Sequence, residues 1–182
     1  SNFADQLFGT ELIAGEEVMV EYIEPAAVAG QGTMNIYRLT HGFRGVSEYV
    51  SNVSRGFGDS GACNNNANCP GGASWSDQKR SVVCLVSGGS EFCTGALVNN
   101  TCQDGTPYVL TADHCGSADG SWVFRFNWES SGCSNPTSNP TSQSLSGGTA
   151  RASNLGYDVH ICQINTTPPA NYNVYYSGWS NV

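Results

Sequence analysis

The sequence is short of charge, and shortest of positive charge. Only 12% of its 182 residues are charged, and 7 Lys and Arg face 15 Asp and Glu, for a net charge of −8. With so few cations, and no basic stripe among them, the chain has nothing to replace the counterions around phosphate, so nucleic acid is excluded as a partner. Long apolar runs are also missing. No stretch approaches the roughly 20 residues that a spanning helix needs, and no membrane span is expected. The opening residues, SNFADQLFGTELIAGEE, lack the basic and apolar blocks of a secretory signal. The chain therefore reads as an excerpt from a longer precursor. Tight C-x₂-C pairs, the usual zinc spacing, do not occur either, and no metal or other cofactor is expected.

What is present favours short strands and many turns. Gly, Ser, Asn and Thr are abundant, aromatics stand at 10% and hydrophobic residues at 39%. That mixture suits an all-β domain with a real core. Eight cysteines, at 63, 69, 84, 93, 102, 115, 133 and 162, are scattered rather than clustered. In a Lys-poor, Gly-rich chain they point to disulfides and an oxidising, extracellular setting.

The chain divides near residues 51–62. Before that lies a segment without cysteine through Phe57, in which EEVMVEYI (16–23) and TMNIYRLT (33–40) alternate well enough for two strands, punctuated by Pro25, Gly30 and Gly32. After Pro70 come SVVCLVSG (81–88), FCTGALVN (92–99), PYVLTA (107–112), WVFRFNW (122–128) and DVHICQIN (158–165). Short strands at such intervals suit a sandwich or barrel. The polar stretch 130–148 is expected to be a surface loop, pinned by Cys133. The expected division is therefore 1–57, a pro-segment or accessory β-unit, and 58–182, one β-barrel.

The stretch LTADHCG (110–116) ends an apolar strand in a histidine with a cysteine beside it. A catalytic imidazole must be held within reach of a hydroxyl, with its other nitrogen fixed by a carboxylate. CTGALVNN (93–100) followed by PYVLTADHC (107–115) resembles the first barrel of the chymotrypsin-type serine proteases. With GDSGACNNNANCP and SWSDQKRSVVCLVSGGSEFCTGALVNN, the resemblance narrows to the secreted bacterial lysyl-endopeptidase-like branch, over about residues 56–182. It implies an all-β, chymotrypsin-like Greek-key barrel, the first of two, and a polypeptide substrate. The second barrel of the same protease would be its partner. It assigns His114 as general base and acid and Asp158, in LGYDVHICQIN (155–165), as its orienting carboxylate. It also implies the pairs Cys93 with Cys115 and Cys69 with Cys133, and ties Cys63 to a cysteine of the missing barrel. Cys84, Cys102 and Cys162 depart from the pattern. Cys84 and Cys162, both in expected strands, are candidates to bridge the barrel.

Asp113 rivals Asp158, being adjacent to His114, but successive side chains of an extended backbone diverge. His160 reads as a half-exposed strand histidine, and His41 as structural. Arg44 and Arg55 are candidates for processing sites. GDSG (58–61) looks like the surroundings of a protease nucleophile, yet Ser60 precedes both His114 and Asp158, whereas in the resembled family the serine follows them. GDSG also lies where the mature enzyme of that family opens. Two-barrel units need ~200–250 residues, more than remain after it. Ser60 is expected to be a turn residue, with the nucleophile outside this chain. The expected function is a secreted serine endopeptidase represented by its pro-region and first barrel, inactive as this piece. The alternative is a catalytically silent, protease-like binding or adhesion module.

Overall fold

The computed structural model describes residues 10, 17–36, 39, 57, 63–117, 119–136, 140 and 143–180. Alternation in the sequence becomes inside and outside. In β1 (Val82–Ser87), Val83 and Leu85 are buried while Val82 is exposed. In β2 (Ser90–Val98) Leu97 faces in, and in β3 (Tyr108–Thr111) Val109 and Thr111 do. β4 (Val123–Phe126) buries Phe124 and Phe126. Two more strands, β5 (Gln143–Ser146) and β6 (Gly148–Asn154), follow, and β7 (Val159–Ile164) buries His160, Cys162 and Ile164.

The strands form one sheet in the order β5-β4-β1-β2-β3-β7-β6, and every pairing is antiparallel. Its two outer strands are separated in sequence by Gly147 alone, so the sheet closes on itself. Gly147 sits at φ 82°, open to glycine at no steric cost. Its N–H donates to Trp122 O at 2.8 Å, and its carbonyl accepts from Asn165 N at 3.1 Å. After the β1–β2–β3 meander the chain crosses to pair β4 with β1, then returns through β7 to β3. That is Greek-key connectivity. The fold is an all-β, chymotrypsin-like barrel.

Val83, Leu85, Leu97, Val109, Trp122, Phe124, Phe126, Cys162 and Ile164 fill the interior. Each fully buried large side chain contributes about 1.5–3 kcal/mol. The C-terminal stretch seals one side: Ser177 N donates to Leu97 O and Asn99 N to Ser177 O, both at 2.9 Å.

Three expectations change here. The stretch 130–148 is not loop throughout, because β5 begins at Gln143. QSLS and GTARASN are too polar to show an apolar period, and ladder bonds rather than burial make them strands. In the first segment, the described residues 17–25 and 32–36 form no ladder, so the β-rich character expected there is not found among them. Val18, Met19, Val20, Tyr22 and Ile23 are exposed. Cys84 and Cys162 do not bridge, because Cys84 is at an outward position of β1 and Cys162 is buried inside. Ser60, His41, Arg44 and Arg55 lie outside the described residues.

Gly148 lies opposite Ile164, and a Cβ there would collide with Cys162 Sγ and press on Phe124 Cζ at 3.0 Å. Gly148→Ala is expected to lower stability by about 1–3 kcal/mol through overpacking. Urea unfolding checks this, with the exposed Val82→Ala expected to stay within about 0.5 kcal/mol of the parent.

Candidate active site

β3 delivers His114 directly. Its last residue, Thr111, donates from Oγ1 to Thr94 O at 2.9 Å, and the chain then tightens into a 3₁₀ turn, Asp113–Cys115. Cys115 is bonded to Cys93 of β2, with Cα atoms 6.1 Å apart, so the turn is tied to the neighbouring strand. Gly116, at φ 97°, lets the chain leave in another direction.

Asp158 arrives from the opposite side. Asn154 caps a second 3₁₀ turn, Leu155–Tyr157, its Oδ1 accepting from Tyr157 N at 3.1 Å. The turn ends on Asp158 with left-handed backbone, φ 53° and ψ 46°, and β7 starts at the next residue. Because Thr111 is paired with His160 in the β3–β7 ladder, the end of β3 and the start of β7 lie side by side.

The two residues meet at two points. The backbone N–H of His114 donates to Asp158 Oδ1 at 2.9 Å, and its ring Nδ1–H donates to Oδ2 at 2.7 Å. The His114 backbone N–H, then its ring, hold the Asp158 carboxyl below its usual range. With Nδ1 so occupied, Nε2 is the nitrogen able to take a proton, and the ring is 70% exposed. Asp113, the sequence rival, does not supply the carboxylate.

The other expected residues are placed as follows. Cys69 is bonded to Cys133, and Asn66 and Asn68 donate to Cys133 O and Ser130 O at 2.9 and 2.6 Å, fastening the arm before β1 to the loop after β4. Cys63 and Cys102 are exposed and outside these bridges. His160 is not half-exposed: it is 1% exposed, inside the barrel, with Nε2 2.8 Å from Asp119 Oδ1. Three apolar strand neighbours in DVHICQI gave no parity for its burial, and nothing in the turn DGS (119–121) signalled a buried carboxylate. Among the described residues, the grouping with metal-ligand atoms is Cys93, His114 and Cys115, whose sulfurs are already joined to each other. A cleft of about 410 Å³, lined by Phe57, Glu129, Ser130 and Pro136 among others, contains neither His114 nor Asp158. No helix among the described residues is long and apolar enough to cross a membrane.

A Greek-key barrel carrying a histidine and a carboxylate in contact at its rim is the architecture of trypsin-type proteases. More narrowly, residues 57–182 match the lysyl endopeptidase C-terminal domain, and the chain belongs to that family. It is 26% identical over 187 residues to the lysyl endopeptidase of Pseudomonas aeruginosa, a match covering 95% of this chain and 40% of that protein. The chain thus spans less than half the length of that relative. Among solved structures, the apo MamO protease domain of Magnetospirillum magneticum aligns with a TM-score of 0.37 and 18% identity, over 52% of this chain and 43% of that one.

Two outcomes are expected. Replacing Cys93 and Cys115 together by Ser opens a tether spanning 22 residues, which costs about 3 kcal/mol by chain entropy. Denaturant unfolding of the variant measures it. Because the folded pKa of Asp158 is depressed, its contribution is full above the unfolded value, about 4, and is lost as pH falls through the lower folded one. A carboxyl carbon titration by NMR should therefore find Asp158 ionised, and His114 still bound, at pH 4. Protonation at or above the ordinary aspartate range would contradict the two-point contact.

Proposed function

We propose that this chain is the His- and Asp-bearing barrel of a secreted serine endopeptidase, with the nucleophilic serine carried outside residues 1–182. The observation that carries the reading is the two-point contact of Asp158 with His114 at the barrel rim. In this reading Asp158 stays ionised, accepts Nδ1–H and keeps Nε2 bare. Nε2 takes the serine proton as the hydroxyl oxygen attacks the scissile carbonyl, then returns it to the leaving amine. Water repeats the cycle on the acyl-enzyme. The substrate is polypeptide.

Support comes from three further sides. The family match covers 57–182. Leu155, Tyr157 and Val159 flank Asp158 with exposed apolar surface, which suits cover by a second barrel. Two disulfides in a chain of eight cysteines suit an oxidising, extracellular setting. Residues 1–57 then serve as a pro-segment, and Ser60 is not the nucleophile.

The test uses the full-length protein. A fluorophosphonate probe should label the parent, and His114→Ala should abolish labelling. Asp158→Asn, which leaves the wrong tautomer, should lower kcat by about 10⁴-fold. Ser60→Ala should leave labelling and kcat intact, and the 182-residue chain alone should cleave nothing. Absence of labelling in the parent would favour a binding module, and loss of labelling in Ser60→Ala would make Ser60 the nucleophile.

A further inference from the structure

Two short segments, 113–121 and 158–160, exchange a second histidine–aspartate pair besides the one already described. His114 of the first meets Asp158 of the second, and Asp119 of the first meets His160 of the second, Nε2 to Oδ1 at 2.8 Å. The pairs are reciprocal, but their surroundings are opposite. His114 and Asp158 have side chains 70% and 49% exposed, whereas His160 and Asp119 are 1% and 4% exposed.

That contrast decides which pair can govern the other. An exposed pair competes with water and holds geometry weakly. A buried pair cannot be parted without stranding a polar group in the interior, so it resists displacement. The groups facing it are few. Trp122 packs edge-on to the His160 ring at 5.8 Å between centroids. The Cys162 thiol, next inward on β7, is held protonated, first by burial and then by the charge of the nearby Asp119 carboxylate. Arg151, exposed on β6, is the nearby cation acting on this group. His160 Nδ1 is buried without a partner among the described residues, so Nε2 bears the whole attachment. Asp119 is also fixed locally, as the start of the 3₁₀ turn Asp119–Ser121, where its carbonyl accepts from Trp122 N at 3.1 Å.

We propose that Asp119 and His160 are positioning residues, a buried clamp that sets the spacing of the two segments and so holds the Asp158 carboxylate against His114. The proposal rests on the assignment of His114 and Asp158 as the catalytic pair, but its primary readout does not. The clamp acts two residues from Asp158 along β7 and five from His114 along the other segment, which makes the four side chains one closed circuit.

The experiment is a carboxyl NMR titration of the 182-residue chain as parent, Asp119→Asn, His160→Gln and, as a core control, Ile164→Val. Loss of the clamp is expected to move the Asp158 midpoint up toward the ordinary carboxylate range in the first two variants, with no movement in Ile164→Val. An unmoved midpoint in folded Asp119→Asn and His160→Gln, or an equal rise in the control, overturns the proposal. Should both clamp variants fail to fold, the parent still decides it: the His160 Nε2–H should exchange slowly with solvent and the His114 Nδ1–H rapidly. Free exchange at His160 overturns the clamp. In the full-length protein, the clamp variants should lose up to about 10²-fold in kcat at unchanged KM. An inactive parent would sink the peptidase reading while leaving the titration result standing.

Discussion

The hydrogen bonds of Gly147, to Trp122 on one side and Asn165 on the other, close the sheet. They carry the β4–β5 ladder into the β6–β7 ladder through one residue, so one end of the sheet continues directly as the other. Closure also fixes which strands are neighbours. It places β7 between β3 and β6, and so puts the start of β7 beside the end of β3, where both halves of the histidine–carboxylate pair are carried.

A solvent-facing imidazole suits proton transfer but is hard to hold still, since water competes for each of its hydrogen bonds. The chain meets that difficulty from below. A disulfide anchors the turn after β3, ladder bonds join β3 to β7, and polar groups buried beneath the rim join the two segments again. The exposed contact is therefore the last link of a supported structure. Such layered support is what acid–base chemistry at a surface requires.

Much of this was legible in the sequence, for identifiable reasons. The five apolar strands showed because their inward residues repeat with period two. His114 and Asp158 were singled out by resemblance, through PYVLTADHC and LGYDVHICQIN, and the fold brings the two side chains into contact. The rest was hidden by physics that leaves no periodic trace. β5 and β6 are held by backbone bonds and carry almost no apolar inward face. The burial of His160 depends on register across three strands. Asp119 looks like any turn acid until the interior behind it is seen. Cys84 and Cys162 lie in different strands with opposite facing, and facing is lost when a strand is recognised only by its composition.

The left-handed backbone at position 158 carries a consequence for what evolution or an engineer can place there. Glycine would accept that conformation but brings no oxygen. Asparagine accepts it and keeps the shape, yet offers one acceptor where two are used. Glutamate keeps the charge but adds a methylene and favours that conformation less. Main-chain geometry and chemistry thus select the same side chain independently, and an exchange counted as conservative by charge alone would fail on both counts.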